Sequence, residues 1–119
     1  MNREAASRRR QALFTLRQER DTLEEELLEC RELLRGSLVA HKILRGGYRR
    51  RTPAFYLSRT DGGRRRMIYI KKAELERARR QVEAYRRYQK GLRRLRVLSS
   101  EILKVFQALR ESEDALGSV

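Results

Sequence analysis

The chain has 119 residues, 39% of them charged, and a formal net charge of +14 at neutral pH; five Tyr, three Phe and no Trp can fill a narrow seam but not a broad core. One cysteine, Cys30, excludes an intrachain disulfide and, with a single histidine, a Cys/His metal site. No apolar run approaches the roughly 18 residues that span a bilayer, and Met1 to Arg10 lacks the apolar stretch of a signal peptide, so a cytoplasmic, single-domain protein without a cofactor is expected.

The charge is unevenly spread. Residues 1–35 balance to zero, residues 36–72 carry +10 with Asp61 as the one acid, and residues 73–119 carry +4. A basic block of this density points to a polyanion, and nucleic acid is the commonest. Binding to a membrane surface is disfavoured, because the block lacks the amphipathic helical pattern that such binding uses.

The first segment predicts one helix over 3–35. Leu13, Leu16, Arg20, Leu23, Leu27, Cys30 and Leu34 alternate spacings of three and four, a heptad a/d line with one polar member, Arg20. Leu28 and Leu33 widen the stripe beyond a two-stranded seam. Glu4 with Arg8 and Arg17 with Asp21 stand at i,i+4, and Gly36 occupies the place of a helix-stopping C′ glycine.

Residues 36–71 change to period 2. Phe55 and Leu57 alternate with Tyr56 and Ser58, and Ile68 and Ile70 alternate with Met67, Tyr69 and Lys71. Thr60-Asp61-Gly62-Gly63 between them is hairpin chemistry. Ser37 to Leu44 reads as a further strand and Arg45 to Pro53 as a basic loop. A three-stranded antiparallel meander follows, with Phe55, Leu57, Ile68 and Ile70 facing the helices and Tyr56, Ser58, Met67, Tyr69 and Lys71 facing outward.

The last segment predicts a helix over 72–113, with a frayed tail over 114–119. Its stripe runs Leu75, Ala78, Val82, Tyr85, Tyr88, Leu92, Leu95, Leu98, Ile102, Val105, Leu109, with Phe106 beside it. Gly91 inside this stripe marks a kink or a close crossing. The expected class is therefore α+β: two long antiparallel amphipathic helices, a coiled-coil-like hairpin, flanking the meander. Homodimerisation is the expected way to cover the wide stripe of the first helix.

Arg35-Gly36-Ser37-Leu38-Val39, Phe55-Tyr56-Leu57-Ser58-Arg59, the Gly62-Gly63 turn, Tyr69 and Val82-Glu83-Ala84-Tyr85-Arg86 resemble a family of small uncharacterised prokaryotic proteins met near transposases and other mobile elements. The resemblance covers about residues 30–109. It implies the same helix–meander–helix plan and a transposase or nuclease as protein partner. Many members carry a cysteine cluster in the loop between the first two strands. Here that loop is Arg45-Gly46-Gly47-Tyr48-Arg49-Arg50-Arg51, without cysteine, so no metal role carries over.

Arginine clusters match phosphate with bidentate geometry, and tyrosines stack on unpaired bases. The candidate nucleic-acid contacts are Lys42, Arg45, Tyr48, Arg49, Arg50, Arg51, Tyr56, Arg59, Arg64, Arg65, Arg66, Tyr69, Lys71 and Lys72. Arg86, Arg87, Lys90, Arg93 and Arg94 form a basic face on the last helix. The competing reading of each cluster is a solvated surface, and of the tyrosines ordinary strand preference. His41 has no triad partner nearby in sequence, Cys30 lies on the apolar stripe, and Glu24, Glu25 and Glu26 splay around the helix, so an enzyme is not expected. The expected function is nucleic-acid binding, DNA or RNA, by an accessory protein. The alternative is a structural protein whose helical hairpin docks a protein partner.

Overall fold

The computed structural model describes residues 3–42, 44, 45, 48, 49, 53–114 and 116, the side chains of 44, 45, 48 and 49 excepted. The chain is α+β: helix α1 (Arg3–Glu29), strands β1 (Ser37–His41), β2 (Leu44–Arg45), β3 (Tyr48–Arg49), β4 (Ala54–Asp61) and β5 (Arg64–Ile70), a 3-10 turn (Lys72–Glu74), and helix α2 (Leu75–Glu113). Two helices and a three-stranded antiparallel sheet are present as expected, but the arrangement of two long helices flanking the meander is not: α1 spans 27 residues, shorter than the 3–35 expected, against 39 for α2. Two compact units result, one of residues 1–29 and 89–119, the other of residues 30–88.

In the first unit, the a/d line of α1 is recognisable but shallow. Leu13, Leu16, Arg20, Leu23 and Leu27 are half-buried, and Ala6 is the one buried residue of the helix. From α2, Leu98 and Ile102 are buried at 0% and 6% exposure. Early residues of α1 meet late residues of α2: Arg9 Nη1 donates to Ser112 Oγ at 2.9 Å, and Arg10 stands 3.9 Å from Glu113. Further along, Arg94 donates from Nε to Glu19 Oε1 at 2.9 Å. Gly91 is buried where a Cβ would lie 2.6 Å from Leu27 Cδ2, so of the two alternatives, kink or close crossing, the structure has the crossing.

One stripe position is corrected: Leu92 is 44% exposed, and Phe106, expected beside the stripe, is 49% exposed. Tyr88, Gly91, Leu95, Leu98 and Ile102 keep steps of three and four on one side of the helix, whereas Leu92 lies about 100° further round. Leu28, expected to widen the α1 stripe, is 82% exposed.

The second unit begins where α1 stops, six residues before the end expected at 35. Glu32 takes a left-handed backbone conformation (φ 54°), and the Leu34 amide donates to the Gln81 carbonyl of α2 at 3.1 Å. Leu33 and Leu34 are half-buried off this connector and not on a helix, because tertiary bonding here outweighs local helix propensity. Gly36 is therefore no helix cap. Its φ of 137°, and the 2.8 Å between an added Cβ and the Ser58 carbonyl oxygen, mark a close approach of connector to strand.

The three-stranded sheet has the order β1-β4-β5, antiparallel throughout. Ser37 pairs with Ser58 and His41 with Ala54; Phe55 pairs with Ile70 and Asp61 with Arg64. Gly62 and Gly63, at φ 57° and 81°, supply the two left-handed residues of a tight hairpin turn. β1 ends at His41 instead of 44, and a short β2–β3 ladder, pairing Leu44 with Arg49 and Arg45 with Tyr48, runs from the expected strand end into the expected basic loop. Four residues, 50–53, separate β3 from β4 where two, 42 and 43, separate β1 from β2, so the ladder does not run on in register. Ala54, Leu57, Ala78 and Val82 form the core of this unit, at 2–5% exposure. Fully burying one leucine of this kind contributes about 2 kcal/mol.

Candidate nucleic-acid interface

Strand alternation and register divide the sheet residues between two faces. One carries Leu38 and Ala40 from β1, Phe55, Leu57, Arg59 and Asp61 from β4, and Arg64, Arg66, Ile68 and Ile70 from β5. The other carries Ser37, Val39 and His41, then Ala54, Tyr56, Ser58 and Thr60, then Arg65, Met67 and Tyr69. Phe55, Leu57, Ile68 and Ile70 thus share a face, as the alternation predicts. The Arg79 guanidinium of α2 covers Phe55 at 5.4 Å from the ring centroid.

At the turn end of the Leu57 face, Asp61 gathers three arginines. Arg59 Nε donates at 3.0 Å and Arg66 Nη1 at 3.3 Å to Oδ2, while Arg35 donates to Oδ1 and, at 2.9 Å, to the Thr60 carbonyl. Partial desolvation works to raise the Asp61 pKa. The hydrogen bonds from Arg59 and Arg35, and their charges, outweigh it and hold the carboxyl below its ordinary value.

The Tyr69 face is built differently. Tyr56 and Tyr69 stand directly opposite each other, ring centroids 5.7 Å apart and edge-to-face at 65°. His41 meets Tyr56 at 5.7 Å and 79°. Tyr69 and Met67 are 54% and 42% exposed, and Arg65 Nε donates to Ser58 Oγ at 3.0 Å. Ala54 on this face is nonetheless buried, a small residue on the central strand between two flanking ones. Among the described sheet residues this face carries no acid.

The candidates are accordingly dispersed. Arg64, Arg65 and Arg66 are all exposed, but Arg65 points away from the other two, so the triplet is not one patch. Arg59 and Arg66 are engaged by Asp61. Lys42, Lys71 and Lys72 are exposed at strand ends. Arg45, Tyr48 and Arg49 lie in the β2–β3 ladder, and Arg50 and Arg51 lie outside the described residues. Arg86, Arg87, Lys90 and Arg93 are exposed on α2; Arg86 stands 4.0 Å from Glu83, and Arg94 is taken up by Glu19.

Sequence reasoning missed a second basic cleft, lined by Arg31, Arg77, Arg80 and Arg87 with Glu32, whose carboxylate accepts from Arg77 at 3.2 Å. The spacing of Arg77, Arg80 and Arg87 on one helix side was a readable signal, whereas Arg31 joins them only through the turned connector. Among the described residues no three His, Cys, Asp or Glu side chains come together to hold a metal, and no helix is long and apolar enough to cross a membrane. The chain matches no family model, no curated protein and no solved structure.

Proposed function

We propose that this chain is a nucleic-acid-binding accessory protein whose basic β-meander engages the phosphate backbone, with the helices as an antiparallel coiled-coil-like scaffold. One observation carries the reading: the single acid of the +10 block, Asp61, is tied up by three arginines, while the opposite face of the sheet carries Arg65 and, among its described residues, no acid. Phosphate neutralisation rewards such a surface through counterion release. The resemblance of residues 30–109 to proteins met near mobile elements supplies a setting, beside a transposase or nuclease. Binding needs no catalytic group or cofactor from this chain.

The test is a salt titration of binding. If about six phosphates are neutralised, log K falls with log salt at a slope of about −5 on a duplex and about −4 on a single strand. Replacing Arg49, Arg50, Arg51, Arg64, Arg65 and Arg66 by glutamine flattens the slope and weakens binding about a hundredfold or more, with helical circular dichroism unchanged. Glutamine at Arg86, Arg87, Arg93 and Arg94 costs less. A folded six-site variant that binds like the parent would overturn the reading.

A second reading rests on the first unit, where Phe14, Leu103 and Phe106 are 62%, 57% and 49% exposed. This apolar surface suits docking of a protein, here a second copy of the chain. A monomeric mass by light scattering at high concentration and low salt would exclude the homodimer.

A further inference from the structure

The row of rings across the sheet says more than charge alone. His41 on β1, Tyr56 on β4 and Tyr69 on β5 lie on one face, each in edge-to-face contact with the next, so one aromatic group of the row stands on each strand of the three-stranded sheet. Cross-strand aromatic pairs do stabilise sheets on their own account. That explains Tyr56, which is half-buried between its two neighbours. It does not explain why the outermost ring and its strand neighbour stay in water: Tyr69 is 54% exposed and Met67 42%. A purely structural ladder gains most when its rings are covered, and exposed aromatic surface marks an interaction site when charged groups frame it.

The frame here has one sign. Arg65 is anchored on this face by its bond to Ser58 and remains exposed, and Lys71 follows two residues after Tyr69, also exposed. The acid that would repel a polyanion faces the other way. A shallow cleft beside Tyr69 is bounded by Pro53, Ala54 and Lys72, an apolar floor with an amine at its edge.

Taking phosphate binding by the meander as given, we infer that its ligand is single-stranded nucleic acid, whose unpaired bases stack on Tyr69 and the neighbouring rings while Arg65 and Lys71 meet the phosphates. A duplex buries the faces of its bases in its own stack and offers this row only backbone. A single strand exposes a π-face at every nucleotide, and each base stacked on an aromatic side chain gains affinity without demanding a sequence. Ring centroids 5.7 Å apart set the rings near enough for adjacent bases to share the row.

The experiment uses the full chain and three labelled probes of equal length: an oligothymidylate, an abasic oligomer with the same phosphates, and a duplex. Fluorescence anisotropy is expected to show the oligothymidylate bound about tenfold or more tighter than the abasic oligomer. The duplex, despite its higher charge density, is expected to lose little when Tyr69 is altered. Tyr69→Ala erases the advantage of the oligothymidylate and leaves abasic binding unchanged. Tyr69→Phe, which keeps the ring and the fold, retains the advantage. Equal binding of oligothymidylate and abasic oligomer, or an advantage that survives Tyr69→Ala, would overturn the inference while phosphate binding stands. Failure of every probe to bind would remove the phosphate reading, and this one with it.

Discussion

The two faces of the sheet share three strands and one register, yet they do opposite things with the same residue types. On the Leu57 face, arginines are consumed: Arg59 and Arg66, with Arg35 from the connector, close around Asp61, and the apolar half is 2% exposed at its centre. On the Tyr69 face, Arg65 is held by a serine hydroxyl, and Tyr69 and Met67 remain in water. The difference teaches that net charge in a segment overstates what is available for a partner. Alternation sends Arg59 and Arg66 to the side where one acid absorbs them.

The largest expected effect lies on the packed side. Leu57→Ala removes a fully buried side chain and is expected to destabilise the fold by about 2–5 kcal/mol. Tyr69→Ala, on the opposite face and one strand away, should stay within about 1 kcal/mol of the parent, since that residue is already 54% exposed. Urea denaturation of both variants measures the contrast, and equal losses would mean that the Tyr69 face is as structural as the other.

A smaller effect sharpens the ionic side. The Asp61 pKa is depressed in the folded chain, so its contribution to stability is fully present above the unfolded value of 3.8 and is lost as pH falls through the lower folded value. Thermal melts from about pH 5 down to about pH 2 should show a decline that Asp61→Asn makes shallower. The same substitution should tighten nucleic-acid binding by releasing Arg35, Arg59 and Arg66. A decline in asparagine variant and parent of the same depth would show that the arginines around Asp61 contribute nothing to the fold.

Much of this architecture was legible from periodicity. The hairpin of β4 and β5, its Gly62-Gly63 turn and the sharing of a face by Phe55, Leu57, Ile68 and Ile70 each follow from a local rule, period 2 or positive φ. The end of α1 was not. Residues 30–35 carry good helix formers, and Gly36 sits where a cap belongs, but the left-handed Glu32 and the bond from Leu34 to the Gln81 carbonyl are contacts between segments distant in sequence. The stripe of α2 was read one residue too far at Leu92 because a side-chain pattern ignores glycine, and only the nearness of Leu27 reveals Gly91 as the facing position.

The site divides along the same line. The sequence by itself determined that residues 36–72 are strand-forming, basic to +10 and supplied with tyrosines, because composition and period are local properties of the chain. Only the tertiary structure decided which of those charges are spent. Arg35 reaches Asp61 across 26 residues, Arg31 joins Arg77 and Arg80 through a turned connector, and His41, Tyr56 and Tyr69 become one row because three separated strands pair in a single register. Pairing of this kind is set by the total burial and hydrogen bonding of the sheet, a sum over distant residues that no local window contains.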